Sequence, residues 1–416
     1  MRGKIERLDD EGLGVLTLER EFHIPFTAPG DVVEVIRWRR KKRRLIATEY
    51  NVIEPSALRT KPACPYFGKC GGCTLQHLPY REQVKFKSER LSNLLGLEVE
   101  VIPSPRIYGH RNRIDVVVST RGIGFRRRGT WWDAVDIEEC PVFGPSSARV
   151  LRSLREFIED HHPPLYNIRR NEGFLRYVVI REGKFTGGLM VNLITGEGVI
   201  PEAFPEYFDY ADSVYWSVNR TPSDVSYGEV QRVWGEELIR EKLGDTVYLI
   251  HPNSFFQTNS HQAVNLVEGV AELSEGERVL DLYSGVGTFG VYLARRGFKV
   301  EGVEVNPFAV EMAKRNTELN GVNATFRVGE DRDVKDLGNY DTVVLDPPRA
   351  GLHPKLIKKI LKDAPENIVY VSCNPKTLKQ NLNALLGRYR IVHAVGLDMF
   401  PHTPHVETVV KLKAKV

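Results

Sequence analysis

No run of eighteen apolar residues occurs anywhere in this sequence, so a membrane-spanning helix is not expected. An apolar core is also missing behind Met1-Arg2-Gly3-Lys4-Ile5-Glu6, which argues against a secretory leader and for a cytoplasmic address. Five cysteines in 416 residues are not a disulfide framework in a reducing compartment. What is present is the composition of a globular protein, 42% hydrophobic and 27% charged, in a chain long enough for two or three domains. The net charge of +4 is modest, but Arg37-Trp38-Arg39-Arg40-Lys41-Lys42-Arg43-Arg44 is cationic at every position but the tryptophan. That run reads as a polyanion contact or, on the plainer view, as a solvated strand edge.

Residues 1–60 show short alternating strands separated by Gly12-Leu13-Gly14 and Pro29-Gly30-Asp31, the pattern of a small β-barrel. This stretch resembles the TRAM domain, a small OB-like RNA-binding barrel. Residues 61–244 form a mixed α+β region without internal repeats that holds four of the cysteines. From 245 to 416, apolar strands alternate with helical stretches, which predicts βαβ units and a mostly parallel α/β sheet.

Within that last region, Arg278-Val279-Leu280-Asp281-Leu282-Tyr283 reads as a buried strand, and Ser284-Gly285-Val286-Gly287-Thr288 as a tight loop before a helix. Gly285, Gly287 and Gly290 fit G-x-G-x-x-G, so a dinucleotide site has to be weighed. The acidic strand end before the first glycine instead resembles the D-x-x-x-G-x-G of class I, Rossmann-like methyltransferases, in which Glu304 would hold ribose hydroxyls. Two further strands run into chemically loaded segments, Asp346-Pro347-Pro348-Arg349-Ala350-Gly351-Leu352 and Ser372-Cys373-Asn374-Pro375. Ligands of open α/β sheets bind beyond the carboxyl ends of the strands, so Tyr283, Glu304, Asp346 and Cys373 are expected to line one crevice.

A cysteine there suits addition to carbon 6 of a pyrimidine, which makes carbon 5 nucleophilic. Asn374 and Pro375 predict a helix beginning directly after Cys373, and the helix terminus is expected to depress its thiol pKa. Glu407, opening an apolar strand, is a candidate base. In this order, Asp-Pro-Pro-Arg-Ala-Gly-Leu, Ser-Cys-Asn-Pro and Glu407-Thr408-Val409 resemble the RNA 5-methyluridine (uracil-C5) methyltransferase family over essentially the whole chain. The resemblance implies Cys373 as nucleophile, Glu407 as the base, and Gln257, Tyr283, Glu304 and Asp346 as S-adenosylmethionine-binding residues. Thr288 stands where bacterial relatives often carry asparagine.

Cys64, Cys70 and Cys73, spaced C-x5-C-x2-C, together with Cys140, point to a metal or an iron–sulfur cluster. Spacing alone leaves zinc and [4Fe–4S] open; the resemblance to the iron–sulfur branch of the family implies the cluster. Radical S-adenosylmethionine enzymes use C-x3-C-x2-C, so the cluster is expected to be structural or RNA-positioning. Arg111-Asn112-Arg113 and Arg126-Arg127-Arg128, followed by Trp131-Trp132, are candidate RNA contacts. The expected substrate is RNA bound by a monomer, uridine 54 in the T-loop of transfer RNA being favoured over a uridine of 23S ribosomal RNA. The competing readings are an adenine N-methyltransferase, which would need no Cys373, and a non-catalytic iron–sulfur RNA-binding protein.

Overall fold

The computed structural model describes residues 1–415. Residues 2–54 form a six-stranded sheet curled around Ile5, Leu16, Phe22, Ile24, Val33, Val35 and Ala47. Its longest strands, Val32–Lys41 and Arg44–Glu54, pair antiparallel with Lys41 opposite Arg44. Lys42 and Arg43 make the turn with φ of 45° and 67°, the backbone of a two-residue hairpin. The basic run is therefore the exposed tip of a β-ribbon.

A seven-stranded sheet follows, from Ala134–Asp136 at one edge to Glu229–Gly235 at the other, with the helix Ser146–His161 packed on it. Position 244 falls in the turn of the hairpin Ile239–Leu243/Thr246–Ile250, whose apolar side chains join the C-terminal core.

The C-terminal sheet has eight strands in the order Ala324–Val328, Lys299–Glu304, Arg278–Leu282, Thr342–Leu345, Asn367–Ser372, Glu407–Ala414, Tyr389–Leu397, Val101–Ile102. The first five are parallel and Glu407–Ala414 runs antiparallel to Asn367–Ser372. Strand order reverses between Arg278–Leu282 and Thr342–Leu345, so a crevice opens there. The parallel strands are nearly continuous apolar runs because both faces are covered. Three of the covering helices start with a cap residue and a proline, Asn306-Pro307, His353-Pro354 and Asn374-Pro375, so the sequence itself marks where each strand-end loop stops. The helix Tyr80–Leu95 and the strand Val101–Ile102, from the region expected to be central, pack instead on the edge of this sheet. Among the described residues no helix is long and apolar enough to cross a membrane.

Candidate active site

The glycine turn follows strand Arg278–Leu282 directly. Tyr283 takes a φ of 64° and Gly285 one of 53°. A side chain on Gly285 would meet no protein atom within 4 Å, so its open side is the one left for a ligand. Glu304, at the end of the next strand, accepts hydrogen bonds from the Gly285 amide at 3.1 Å and the Asn306 amide at 2.8 Å, which fixes its carboxylate at the rim of the turn. Tyr283 donates its hydroxyl to Asp331.

Asp281, which has no exposed surface, was missed as a site residue. One of its oxygens accepts from the Gly290 amide at 2.9 Å, and the other has no partner, like the nearby Ser284 hydroxyl. Burial, then the neighbouring Asp346 and Glu304, push its carboxyl up to about 8. Orphaned buried polar atoms beside an open glycine turn fit a polar, cationic cofactor such as S-adenosylmethionine. The acidic strand end was legible in the sequence, but not that one of its oxygens lacks a partner.

On the other side of the crevice, the Asp346-Pro347-Pro348-Arg349-Ala350-Gly351-Leu352 segment is tied to the helix Pro375–Leu385. Asn374 donates to the Arg349 carbonyl at 3.0 Å and to the Thr377 hydroxyl at 2.6 Å, and the Leu352 amide donates to Asn381 at 3.0 Å. Gly351 permits the approach: its φ is 80°, and a Cβ there would stand 2.3 Å from Thr377 Cγ2. These ties hold Asp346 and Cys373 against each other. Strand pairing brings in Glu407, since Thr408 lies opposite Ser372.

The thiol departs from expectation. A helix does begin right after Cys373, but burial, then Glu407 and Asp346, push the thiol up to about 11 against a smaller opposing pull from Arg349. The helix terminus does not prevail because the thiol is buried and two carboxyl groups stand near it. They interact with each other too: burial raises Asp346 to about 7, and burial together with Asp346 holds Glu407 well above the ordinary carboxylate range. Electrostatic proximity thus links Cys373 and Glu407 to Asp346, and Asp346 and Glu304 to Asp281, along the strand-end edge that also carries Tyr283. Gln257 is held separately, in a buried segment where Asn112 donates to its carbonyl at 2.7 Å.

Next to Gln257 is a cleft of about 330 Å³ lined by Arg111, Arg113, Asp115, Arg181, Phe255 and Phe256. Phe256 is buried in the core while Phe255 is 68% exposed, a difference that two adjacent phenylalanines do not reveal in sequence. Arg181 is fully buried, with an unpartnered Nε, and burial pulls its guanidinium down to about 9. The cluster Arg126-Arg127-Arg128 is more committed than expected. Arg126 pairs with Asp224 at 2.7 Å, Arg127 with Asp133 at 2.5 Å, and Arg128 stacks 4.6 Å over the barrel residue Phe26. The first two pairs lie within the central region and only Arg128 reaches the barrel, while Trp131 stays exposed beside them.

Cys64, Cys70, Cys73 and Cys140 line one cavity of about 90 Å³ walled by Phe67, Ile114, Phe125 and Val142. All four are free thiols. Backbone amides of Tyr66 and Phe67 face Cys64, that of Gly72 faces Cys70, and those of Val142 and Phe143 face Cys140. Burial pushes Cys73 up to about 12 and Cys140 up to about 11. Among the described residues no three Cys, His, Asp or Glu side chains stand close enough to hold a single metal ion.

Comparison with known proteins matches residues 231–415 to the family described as tRNA (Uracil-5-)-methyltransferase, and residues 1–58 to the TRAM domain of tRNA (uracil(54)-C(5))-methyltransferase. A Pyrococcus horikoshii tRNA (uracil(54)-C(5))-methyltransferase is 59% identical over 99% of this chain and 100% of its own. A 23S rRNA (uracil(747)-C(5))-methyltransferase from the same organism is 44% identical over 99% of both chains. The crystal structure of Pyrococcus abyssi tRNA (uracil-54, C5)-methyltransferase in complex with S-adenosyl-L-homocysteine superposes with a TM-score of 0.91 at 55% identity, covering 99% of this chain and 100% of that one.

Proposed function

The chain belongs to the RNA (uracil-C5)-methyltransferase family, and from that premise we propose that it methylates carbon 5 of uridine 54 in transfer RNA, with Cys373 as nucleophile. The observation that carries the chemistry is the proximity of Cys373, Glu407 and Asp346 at one edge of the sheet, where Asp346 and Cys373 follow the carboxyl ends of parallel strands and Glu407 opens the antiparallel strand beside them. S-adenosylmethionine supplies an electrophilic methyl group. Asp281, Tyr283, Glu304 and Gln257 are the residues proposed to bind it, with Asp346 at the boundary between cofactor and base. Cys373 adds through sulfur to carbon 6, making carbon 5 nucleophilic. Once carbon 5 carries the methyl group, Glu407 takes the proton from that carbon, the ring double bond re-forms, and the Cys373 thiolate leaves. A uridine stacked in folded RNA exposes neither carbon, so the base must be turned out, and the exposed Phe255 at the mouth of the neighbouring cleft offers a stacking surface.

The choice of transfer RNA follows the relatives: those named for uridine 54 are more similar than those named for 23S rRNA. Methylation of separate transfer-RNA and ribosomal-RNA transcripts, mapped for 5-methyluridine, tests it, with product expected in the T-loop alone. Product only in the ribosomal transcript would reverse the assignment. Cys373→Ala is expected to abolish methyl transfer while RNA still binds; retained methylation in that variant rejects the nucleophile.

The four remaining cysteines are proposed to hold a [4Fe–4S] cluster. An all-thiol donor set around an apolar cavity, with amides aimed at the sulfurs, is the setting such clusters occupy. It would cross-link the segment 64–73 to Cys140 and supply no electron to the reaction. Iron and labile sulfide in equal amounts, lost in Cys70→Ser, are the expected analysis of protein purified without oxygen; zinc in their place rejects the cluster.

A further inference from the structure

The loop 398–406 joins strand Tyr389–Leu397 to strand Glu407–Ala414, and Glu407 is its foot, opposite Leu397. It makes short turns of its own, the Thr403 amide donating to the Phe400 carbonyl at 3.2 Å, but contacts from outside fix its start and its centre. Its start is pinned from the helix Tyr80–Leu95, where Lys87 Nζ donates to Asp398 at 2.5 Å and to the Phe400 carbonyl at 3.1 Å. Both charged side chains are fully buried. Its centre is pinned from the cysteine segment: the amides of Thr74 and Leu75, the two residues after Cys73, donate to the single carbonyl of His402 at 2.8 and 2.9 Å. His402 itself has a φ of 66°, a conformation that a residue with a side chain keeps only where its surroundings dictate it. Here its amide donates to Gln83 at 2.9 Å and its ring stacks on Tyr108 at 4.6 Å.

We infer that His402 is a positioning residue for Glu407, through which the cysteine segment sets the direction of the carboxylate that removes the proton from carbon 5. The inference rests on the reading of Glu407 as the base. Cys373 hangs from strand Asn367–Ser372, which has paired strands on both sides, and the glycine turn lies two strands farther along. The loop's first residues are held separately, by Lys87 and by Asn259, whose side-chain amide donates to the Met399 carbonyl at 3.2 Å, so loosening its centre at His402 is expected to leave the thiol and the glycine turn in place and to shift the foot that carries Glu407. The step affected is the last one: the bond from carbon 5 to hydrogen breaks, its proton passes to Glu407, its electron pair restores the ring double bond, and the bond from carbon 6 to sulfur breaks.

His402→Gly and Gln83→Leu separate this role from a merely structural one. The full-length proteins are mixed with RNA and methyl-labelled cofactor, and the labelled protein–RNA adduct is followed on denaturing gels together with the single-turnover methyl burst. For both variants the burst is expected to stay within about twofold of the parent while turnover falls about ten- to a hundredfold and the methylated adduct accumulates. Gln83 touches neither the cysteines nor the cleft, so it tests the same path if the glycine variant folds poorly. Equal loss of burst and turnover without adduct, or parent-like turnover in both, overturns the inference. Glu407→Gln run in parallel identifies the level of failure: no adduct there rejects Glu407 as the base, whereas adduct there and none in the loop variants rejects only the part given to His402.

Discussion

At the scale of single residues, the candidate nucleophile and base are both pushed toward their protonated forms. Burial, then Glu407 and Asp346, push the Cys373 thiol up to about 11, and burial together with Asp346 raises the Glu407 carboxyl well above the ordinary carboxylate range. The missing element is positive charge. A bound sulfonium would bring positive charge to Asp281, Asp346 and Glu407 and is expected to lower these groups together, which would couple cofactor binding to activation of the Cys373 thiol. Thiolate is the reactive form, so alkylation of Cys373 by iodoacetamide in the cofactor-free protein is expected to rise about tenfold per pH unit through neutrality without levelling off below pH 10. Sinefungin, which places a cationic amine near the methyl position, is expected to shift that profile downward, and S-adenosylhomocysteine, neutral at sulfur, is not. Equal profiles with the two ligands would separate cofactor charge from thiol activation. Sequence spacing shows the helix that starts after Cys373, but not the burial that opposes it, nor the carboxyls that add to that burial from 27 and 34 positions away, at Asp346 and Glu407.

At the scale of elements, strand ends were legible and loop shapes were not. Tyr283, Glu304, Asp346 and Cys373 could be placed at one edge because parallel strands announce themselves as apolar runs, and the topology of such sheets puts their carboxyl ends together. The two-residue strand Val101–Ile102 carries too little pattern to assign, and only tertiary pairing with Gly396 and Leu397 makes it part of the sheet. The basic run was visible as charge, and the structure places it at the tip of a β-ribbon. Arg37 pairs with Glu49, and Arg44 with Asp9 and Glu11, which anchors the two ends of the run. Among the described residues, Arg39, Arg40, Lys41, Lys42 and Arg43 form no ion pair and project into solvent. Replacing Arg39, Arg40 and Arg43 by glutamine is expected to weaken RNA binding and to flatten the dependence of log affinity on log salt by about 0.7–0.9 for each phosphate no longer neutralised. Turnover at saturating RNA stays unchanged, since the ribbon does not enter the cleft. An unaltered salt slope would show that the tip is the solvated edge it also resembles.

At the scale of the whole molecule, three bodies meet on one short segment. The barrel reaches it through Phe26, whose ring lies 5.0 Å from Phe67, and through the Thr27 carbonyl, 3.1 Å from His77. The central sheet reaches it where the Gly71 amide donates to the Arg126 carbonyl and the Arg128 amide to that of Lys69. The catalytic domain reaches it at His402. None of these contacts was legible from the cysteine spacing, which reports a ligand set and says nothing of what its loop touches. A shared keystone makes the orientation of the barrel and the order of the cysteine cavity one property. Phe26→Ala removes the contact with Phe67 and the stack under Arg128, together worth about 1–3 kcal/mol, without touching a cysteine or the barrel's own core. Amide exchange is the suitable probe because it reads each segment separately. Protection is expected to fall not only around residue 26 but across residues 64–77, on the far side of the contact, while strands Arg278–Leu282 and Asn367–Ser372 keep theirs. Loss confined to the barrel would mean that the cysteine segment is braced by the other two bodies alone and that the barrel is a passenger on it.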